Sequence, residues 1–263
     1  MTLVNLKFYS HYLGMEMPMT VLLPDRRFKD GERKDLYPVL YLLHGYAADE
    51  TSWIRMTELE RYAKYAGVII AMPCIHRSFC VNAVHGLRYE DYMAEEVPYV
   101  VHEFFHASGR REDQYIAGAS MGGYGALKLG LKHPEIFGHI AALSAVTDCY
   151  GKAEEGAGMM PVPDFRSSLD EVFGGKEAYY GSENDLYALA DQLQGRIDIL
   201  KPAVFLSCGK SDFLYEENRK FADYLAHHTD LQVSFRCEEG DHSWEFWNRD
   251  LPEVLAAFGF ICR

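Results

Sequence analysis

Short, almost wholly apolar runs recur along this chain, separated by longer amphipathic stretches. Residues 3–12 and 17–23 read as two antiparallel strands around Gly14, an opening hairpin. Residues 37–45, YPVLYLLHG, form a mostly apolar run ending in glycine, which predicts a buried strand entering a loop. Residues 67–73, 114–117, 139–145, 202–209 and 232–237 are read as further strands. Between them the pattern predicts helices over residues 56–65, 89–106, 122–132, 185–196, 216–227 and 244–258, the second bent or restarted at Pro98. Residues 146–184 are rich in Gly, Pro, Met and Tyr and read as a long irregular stretch. Loops of that length are uncommon and often cover a site.

Strands alternating with helices imply a mostly parallel central sheet with helices on both faces, preceded by the antiparallel hairpin. Ligands in such sheets sit at the carboxyl ends of the strands. No repeat or linker-like shift divides the 263 residues, so a single α/β domain is expected over 1–263, with a lid or cap insertion at about 146–184.

Composition narrows the function. A hydrophobic share of 48% supports a large core and excludes a disordered chain. A net charge of -13 with no basic stripe argues against nucleic-acid binding. No apolar run reaches the roughly 18 residues of a membrane span, and the first residues lack the features of a signal peptide, so a cytoplasmic protein is expected. Six scattered cysteines without a C-x-x-C read as reduced thiols. Oligomeric state is left open, a homo-oligomer included.

Two motifs propose different chemistry. His102–His106, HEFFH, has the H-E-x-x-H spacing of zinc peptidases. Gly118–Gly122, GASMG, has the G-x-S-x-G spacing of a serine nucleophile on a strand-to-helix turn. By chance the first arises in roughly one chain in twenty-five of this composition and the second in roughly one in ten, so context decides. Met93, Val97, Val100, Val101 and Phe104 make an apolar stripe that turns His102 and His106 toward solvent, and no third ligand is evident. Both histidines are therefore expected to be exposed, with no metal. Ser120, by contrast, has a strand before it, glycines around it and a helix after it.

The partners of such a serine follow in the order acid, then histidine, each on a loop after a strand. Asp212 leaves the run PAVFLSCG, and Asp148 is the runner-up acid. His242 follows the strand over 232–237; His227 and His228 end a helix, and Asp241 is a poor orienter of its neighbour. The amides of Met121 and Tyr46 are the candidate oxyanion donors, and His44 is expected to brace the second loop by hydrogen bonding. Trp53, Phe79, Tyr89 and Met159 or Met160 are candidates to line the pocket.

Together LLHGYAADETSW, AGASMGGYGALKLGLKHPEIFG, CGKSDFLYEENRKF and GDHSWEFW resemble the esterase D-like family of α/β-hydrolases, closest to its tributyrin-esterase and acetyl- and feruloyl-esterase branch. The likeness runs from about residue 37 to the C-terminus. It implies hydrolysis of short-chain acyl or aryl esters of small molecules, without metal or cofactor. It also carries the nucleophile, acid and base onto Ser120, Asp212 and His242, and the oxyanion donors onto Tyr46 and Met121. Ser78-Phe79-Cys80 stands where that branch often has a Trp-Tyr pair, so substrate preference is expected to differ. The cysteine and threonine that mark the S-formylglutathione-cleaving relatives are absent from HGYAADET.

Overall fold

The computed structural model describes residues 1–25, 36–151 and 165–262. Eight strands form one sheet in the order β1-β2-β4-β3-β5-β6-β7-β8. They are β1 (Thr2–Ser10), β2 (Met15–Leu23), β3 (Val39–Leu43), β4 (Ile69–Pro73), β5 (Gln114–Ala119), β6 (His139–Leu143), β7 (Ala203–Gly209) and β8 (Val233–Glu238). β1 and β2 pair antiparallel in register Thr2 to Leu23, and β2 joins β4 antiparallel. From β4 through β3, β5, β6 and β7 to β8 every pairing is parallel. This is the expected sheet, hairpin included.

The inner parallel strands β4, β3, β5, β6 and β7 read as mostly apolar runs because both of their faces are covered, while the edge strand β8 is half polar. Successive side chains divide between two cores. Val39, Tyr41 and Leu43 join one apolar cluster, while Leu40 and Leu42 join the other. Helix α5 (Met121–Lys132) packs on the first face against β5 and β6, and α10 (Trp244–Ala257) covers the second with Phe246, Trp247, Leu251, Val254 and Leu255.

The remaining helices differ in detail from the sequence reading. The stretch over 56–65 is two short helices, α1 (Ser52–Met56) and α2 (Leu59–Ala63), because the chain extends at Thr57. The next starts as α3 (Tyr89–Asp91), passes through a π turn at Tyr92–Glu96, and continues as α4 (Val97–Phe104) with Pro98 near its start. Wide turns of this kind sit naturally before a proline, whose missing N–H makes no intrahelical bond. The segment over 146–184 is not irregular throughout: α6 (Phe165–Phe173) and α7 (Lys176–Tyr179) lie in it, ahead of α8 (Leu186–Gln194). α9 (Tyr215–His228) connects β7 to β8. Met159 and Met160 fall outside the described residues.

The reading of HEFFH needs correcting. α4 ends at Phe104, and Phe105 is extended (φ -123°, ψ 157°). His106 is therefore off the helix, and the one-turn spacing that suggested a zinc pair does not exist. Neither histidine is fully exposed: both are half-buried. His102 lies against the Gly109 backbone, and burial lowers its pKa. His106 meets the edge of the Tyr37 ring at 6.4 Å. Phe104, assigned to the apolar stripe, is 65% exposed at the last position of the helix. Among the described residues no three His, Cys, Asp or Glu side chains group as a metal site.

Candidate active site

Ser120 occupies the sharp turn between β5 and α5, at φ 58° and ψ -118°. A non-glycine residue there is strained, and the surroundings must hold it. Two glycines make the turn possible. A Cβ on Gly118 would lie 2.4 Å from the Gly122 carbonyl oxygen, and one on Gly122 would lie 2.5 Å from the Leu43 oxygen and 2.6 Å from that of His44. β5, the turn and the loop after β3 thus touch backbone to backbone. The Ser120 amide donates to Leu143 O at 2.9 Å, tying the turn to β6.

Asp212 follows β7, and its side chain is fully buried. Its Oδ1 accepts the Leu214 amide at 2.8 Å. His242 follows β8, and its Nδ1 lies 3.1 and 3.0 Å from the two carboxylate oxygens of Asp212. A carboxylate only accepts, so Nδ1 carries the proton and Nε2 is left as an acceptor. Nε2 stands 3.0 Å from Ser120 Oγ, in line to receive its hydroxyl proton. Three residues from three loops at the carboxyl edge of the sheet are joined in one hydrogen-bonded chain.

Packing fixes the imidazole. The Phe213 ring lies 4.6 Å from it and the Trp247 ring 5.1 Å, edge-on. The Trp247 indole donates to Ser144 Oγ at 3.1 Å, and Ser144 is itself left-handed (φ 47°). Buried Asn218 receives the Ala145 amide at 3.1 Å and donates to Ala145 O and Leu214 O, each at 2.8 Å. It joins the loops carrying Ser144 and Asp212. Phe213, Asn218 and Trp247 escaped the sequence reading. Phe213 is adjacent to Asp212, but Asn218 and Trp247 read simply as helical residues.

The other acids do not compete. Asp148 accepts from Tyr180 and from the amides of Tyr150 and Gly151, and Asp241 accepts from Ser243.

On the far side of Ser120, a Cβ on Gly45 would sit 3.6 Å from Ser120 Cβ, so the turn after β3 abuts the serine. Among the described residues neither the Tyr46 amide nor the Met121 amide donates to a protein acceptor. Met121 opens α5, whose first amides have no partner within the helix. His44 braces the turn as expected: it contacts Gly45 O through Nδ1 at 2.8 Å, and Nε2 accepts the Ile75 amide at 3.0 Å. Burial pushes its pKa down to about 4, against the upward pull of the Gly45 carbonyl, which keeps the ring neutral for this double role.

The pocket candidates separate. Trp53 is completely buried in the α10-side core, donating to Leu43 O at 3.0 Å and meeting Trp244 edge-on. It belongs to the core, with Leu40, Leu42 and Trp247. Phe79 stands 6.0 Å from the Tyr46 ring, among Tyr124, Phe165 and Phe173. Tyr89 hydrogen-bonds His76 in the same loop region. Phe165 of α6 meets the Tyr46 ring at 5.2 Å.

The fold and this constellation define a serine hydrolase of the α/β-hydrolase class. Residues 10–258 match the family model described as Putative esterase, and the chain belongs to that family. An acetyl esterase of Caldicellulosiruptor saccharolyticus is 30% identical, with 97% of each chain covered. Two solved Staphylococcus aureus structures are each 32% identical with 98% of both chains covered. One is the fluorophosphonate-binding serine hydrolase FphF, at a TM-score of 0.88. The other is the S-formylglutathione hydrolase FrmB, at 0.85. Among the described residues no helix is long and apolar enough to cross a membrane.

Proposed function

We propose that this esterase cleaves short-chain, acetyl-like esters of small alcohols, phenols or sugars through an acyl-enzyme on Ser120. His242 Nε2 takes the hydroxyl proton as Oγ attacks the carbonyl, and Asp212 steadies the imidazolium. The Tyr46 and Met121 amides receive the oxyanion, each worth about 3 kcal/mol of barrier. The alcohol leaves with the proton from His242, and water then enters by the same base.

The single observation that carries the mechanism is the hydrogen-bonded chain from Asp212 through His242 to a serine in a strained turn. The acyl preference is supported by the acetyl esterase relative. The rings of Tyr46, Phe79 and Phe165 pack on one another next to the Gly45 turn that abuts Ser120. The contact of Phe165 with the Tyr46 ring supports reading the segment over 146–184 as a cover. The likeness to FrmB favours a second reading, a thioesterase acting on S-formylglutathione. A panel of p-nitrophenyl esters of rising chain length, with acetylated sugars, methyl ferulate and S-formylglutathione, tests both readings. Activity falling steeply beyond four carbons is expected. A preference for long acyl chains would overturn the acetyl reading, and a dominant kcat/KM on S-formylglutathione would replace it with the second.

A further inference from the structure

The segment over 74–80 leaves the carboxyl end of β4, beside the turn that holds Gly45 and Tyr46. The Ile75 amide ties it to His44 Nε2. Three of its non-glycine residues are left-handed: His76 (φ 45°), Phe79 (φ 52°) and Cys80 (φ 53°). Each such residue costs about 1 kcal/mol or more and persists only where packing holds it. Phe79 and Cys80 are fully buried, but Arg77 between the strained positions is exposed.

The Arg77 guanidinium lies over the face of the Tyr46 ring, 5.0 Å from its centre. Phe79 and Phe165 pack the same ring, at 6.0 and 5.2 Å. Arg77 forms no ion pair among the described residues. The Tyr46 hydroxyl is also buried without a hydrogen-bond partner among the described residues. A buried hydroxyl left unpaired is costly, and an arginine braced on a ring has lost part of its freedom already. A substrate carboxylate would give the exposed guanidinium the charge partner it lacks among the described residues.

We infer that Arg77, braced on Tyr46 beside Ser120, is a specificity-determining residue that favours esters bearing a carboxylate on their acyl or alcohol part. The inference rests on the ester-hydrolysing reading of Ser120, His242 and Asp212. The chain's net charge of -13 opposes anions at long range, but screening over about 8 Å at physiological salt leaves the local cation to decide.

Two substrate pairs, each with a charged and a neutral member, separate the two placements. For the alcohol side they are 3-acetoxybenzoate and its methyl ester. For the acyl side they are the monophenyl ester of glutaric acid and phenyl butyrate. The quantity read is the charged-to-neutral ratio of kcat/KM. Arg77→Gln is expected to lower it roughly 3- to 10-fold in at least one pair, as suits an exposed cation. Arg77→Lys is expected to keep most of the ratio, and added salt to erode it in the wild type. A ratio unmoved in both pairs overturns the inference, as does a loss in Arg77→Lys equal to that in Arg77→Gln. Wild-type protein that turns over neither neutral ester would instead overturn the esterase reading, and this inference with it.

Discussion

His242 Nε2 lies 3.0 Å from Ser120 Oγ, although 122 positions separate the two residues along the chain. Ser120→Ala removes the nucleophile and is expected to cut ester turnover by about 10⁵-fold or more. Asp212→Asn keeps the shape but favours the wrong imidazole tautomer, so a loss of about 10⁴-fold in kcat is expected with KM little changed. Steady-state kinetics on p-nitrophenyl acetate measures both. A loss under tenfold in Asp212→Asn would detach the acid from the mechanism.

Gly122→Ala forces a methyl group to within 2.5 Å of a backbone oxygen in β3 and 2.6 Å of another at His44. Neither oxygen can move without opening the sheet edge. A destabilisation of about 1–3 kcal/mol is expected from such overpacking. Calorimetry should show a fall of several degrees in Tm, together with a lower kcat because the Tyr46 turn is displaced.

Ser120 and Asp212 were legible because each follows a buried, mostly apolar run that ends in a loop, and His242 because it stands on the loop after the last strand, where parallel strands bring their carboxyl ends to one edge. The inner strands of the sheet were legible because burial on two faces leaves mostly apolar runs, and the hairpin because its first strand alternates ahead of the Gly14 turn. What was lost depended on where elements stop. Periodicity continues through HEFFH, but the helix does not: the chain extends at Phe105 to reach Tyr37, a contact made across the sequence. Trp53 looked free to face a pocket, yet its indole is fixed by a carbonyl in β3. Asn218 sits among charged residues on a helix, and only the fold shows that its amide joins two loops of the site.

Glu90 is buried with Lys128, whose side chain is also fully buried, and Lys132 reaches it at 2.6 Å and His133 Nε2 at 3.0 Å. Burial alone would raise the Glu90 pKa, but the His133 hydrogen bond and the Lys128 charge outweigh it and hold the carboxyl far below its usual range. A depressed carboxylate contributes stability above its unfolded pKa, near 4.3, and loses it as pH falls toward the folded value. Glu90→Gln leaves Lys128 charged and uncompensated inside the protein, so a loss of about 3–5 kcal/mol is expected at pH 7. Urea melts should also find the variant less sensitive to acid below about pH 4. A neutral substitution would mean that the ion pair contributes nothing.

His44 makes a second pH claim. Its folded pKa, near 4, lies below that of an unfolded histidine, about 6.5. Between those values the unfolded chain binds the extra proton, so stability falls as pH falls, by up to about 1.4 kcal/mol per unit from this group. Above about pH 6.5 the effect vanishes. His44→Gln is expected to flatten the dependence between pH 6.5 and 4 in urea melts, and an unchanged slope would mean that the ring is not buried neutral.

A fluorophosphonate probe tests the nucleophile most directly. After labelling, digestion and peptide mass mapping, a single adduct is expected on the peptide carrying Ser120. Ester hydrolysis should be lost in proportion, and Ser120→Ala should show neither adduct nor turnover. Hydrolysis that survives Ser120→Ala and disappears on metal chelation would contradict the account and return the chemistry to a metal site.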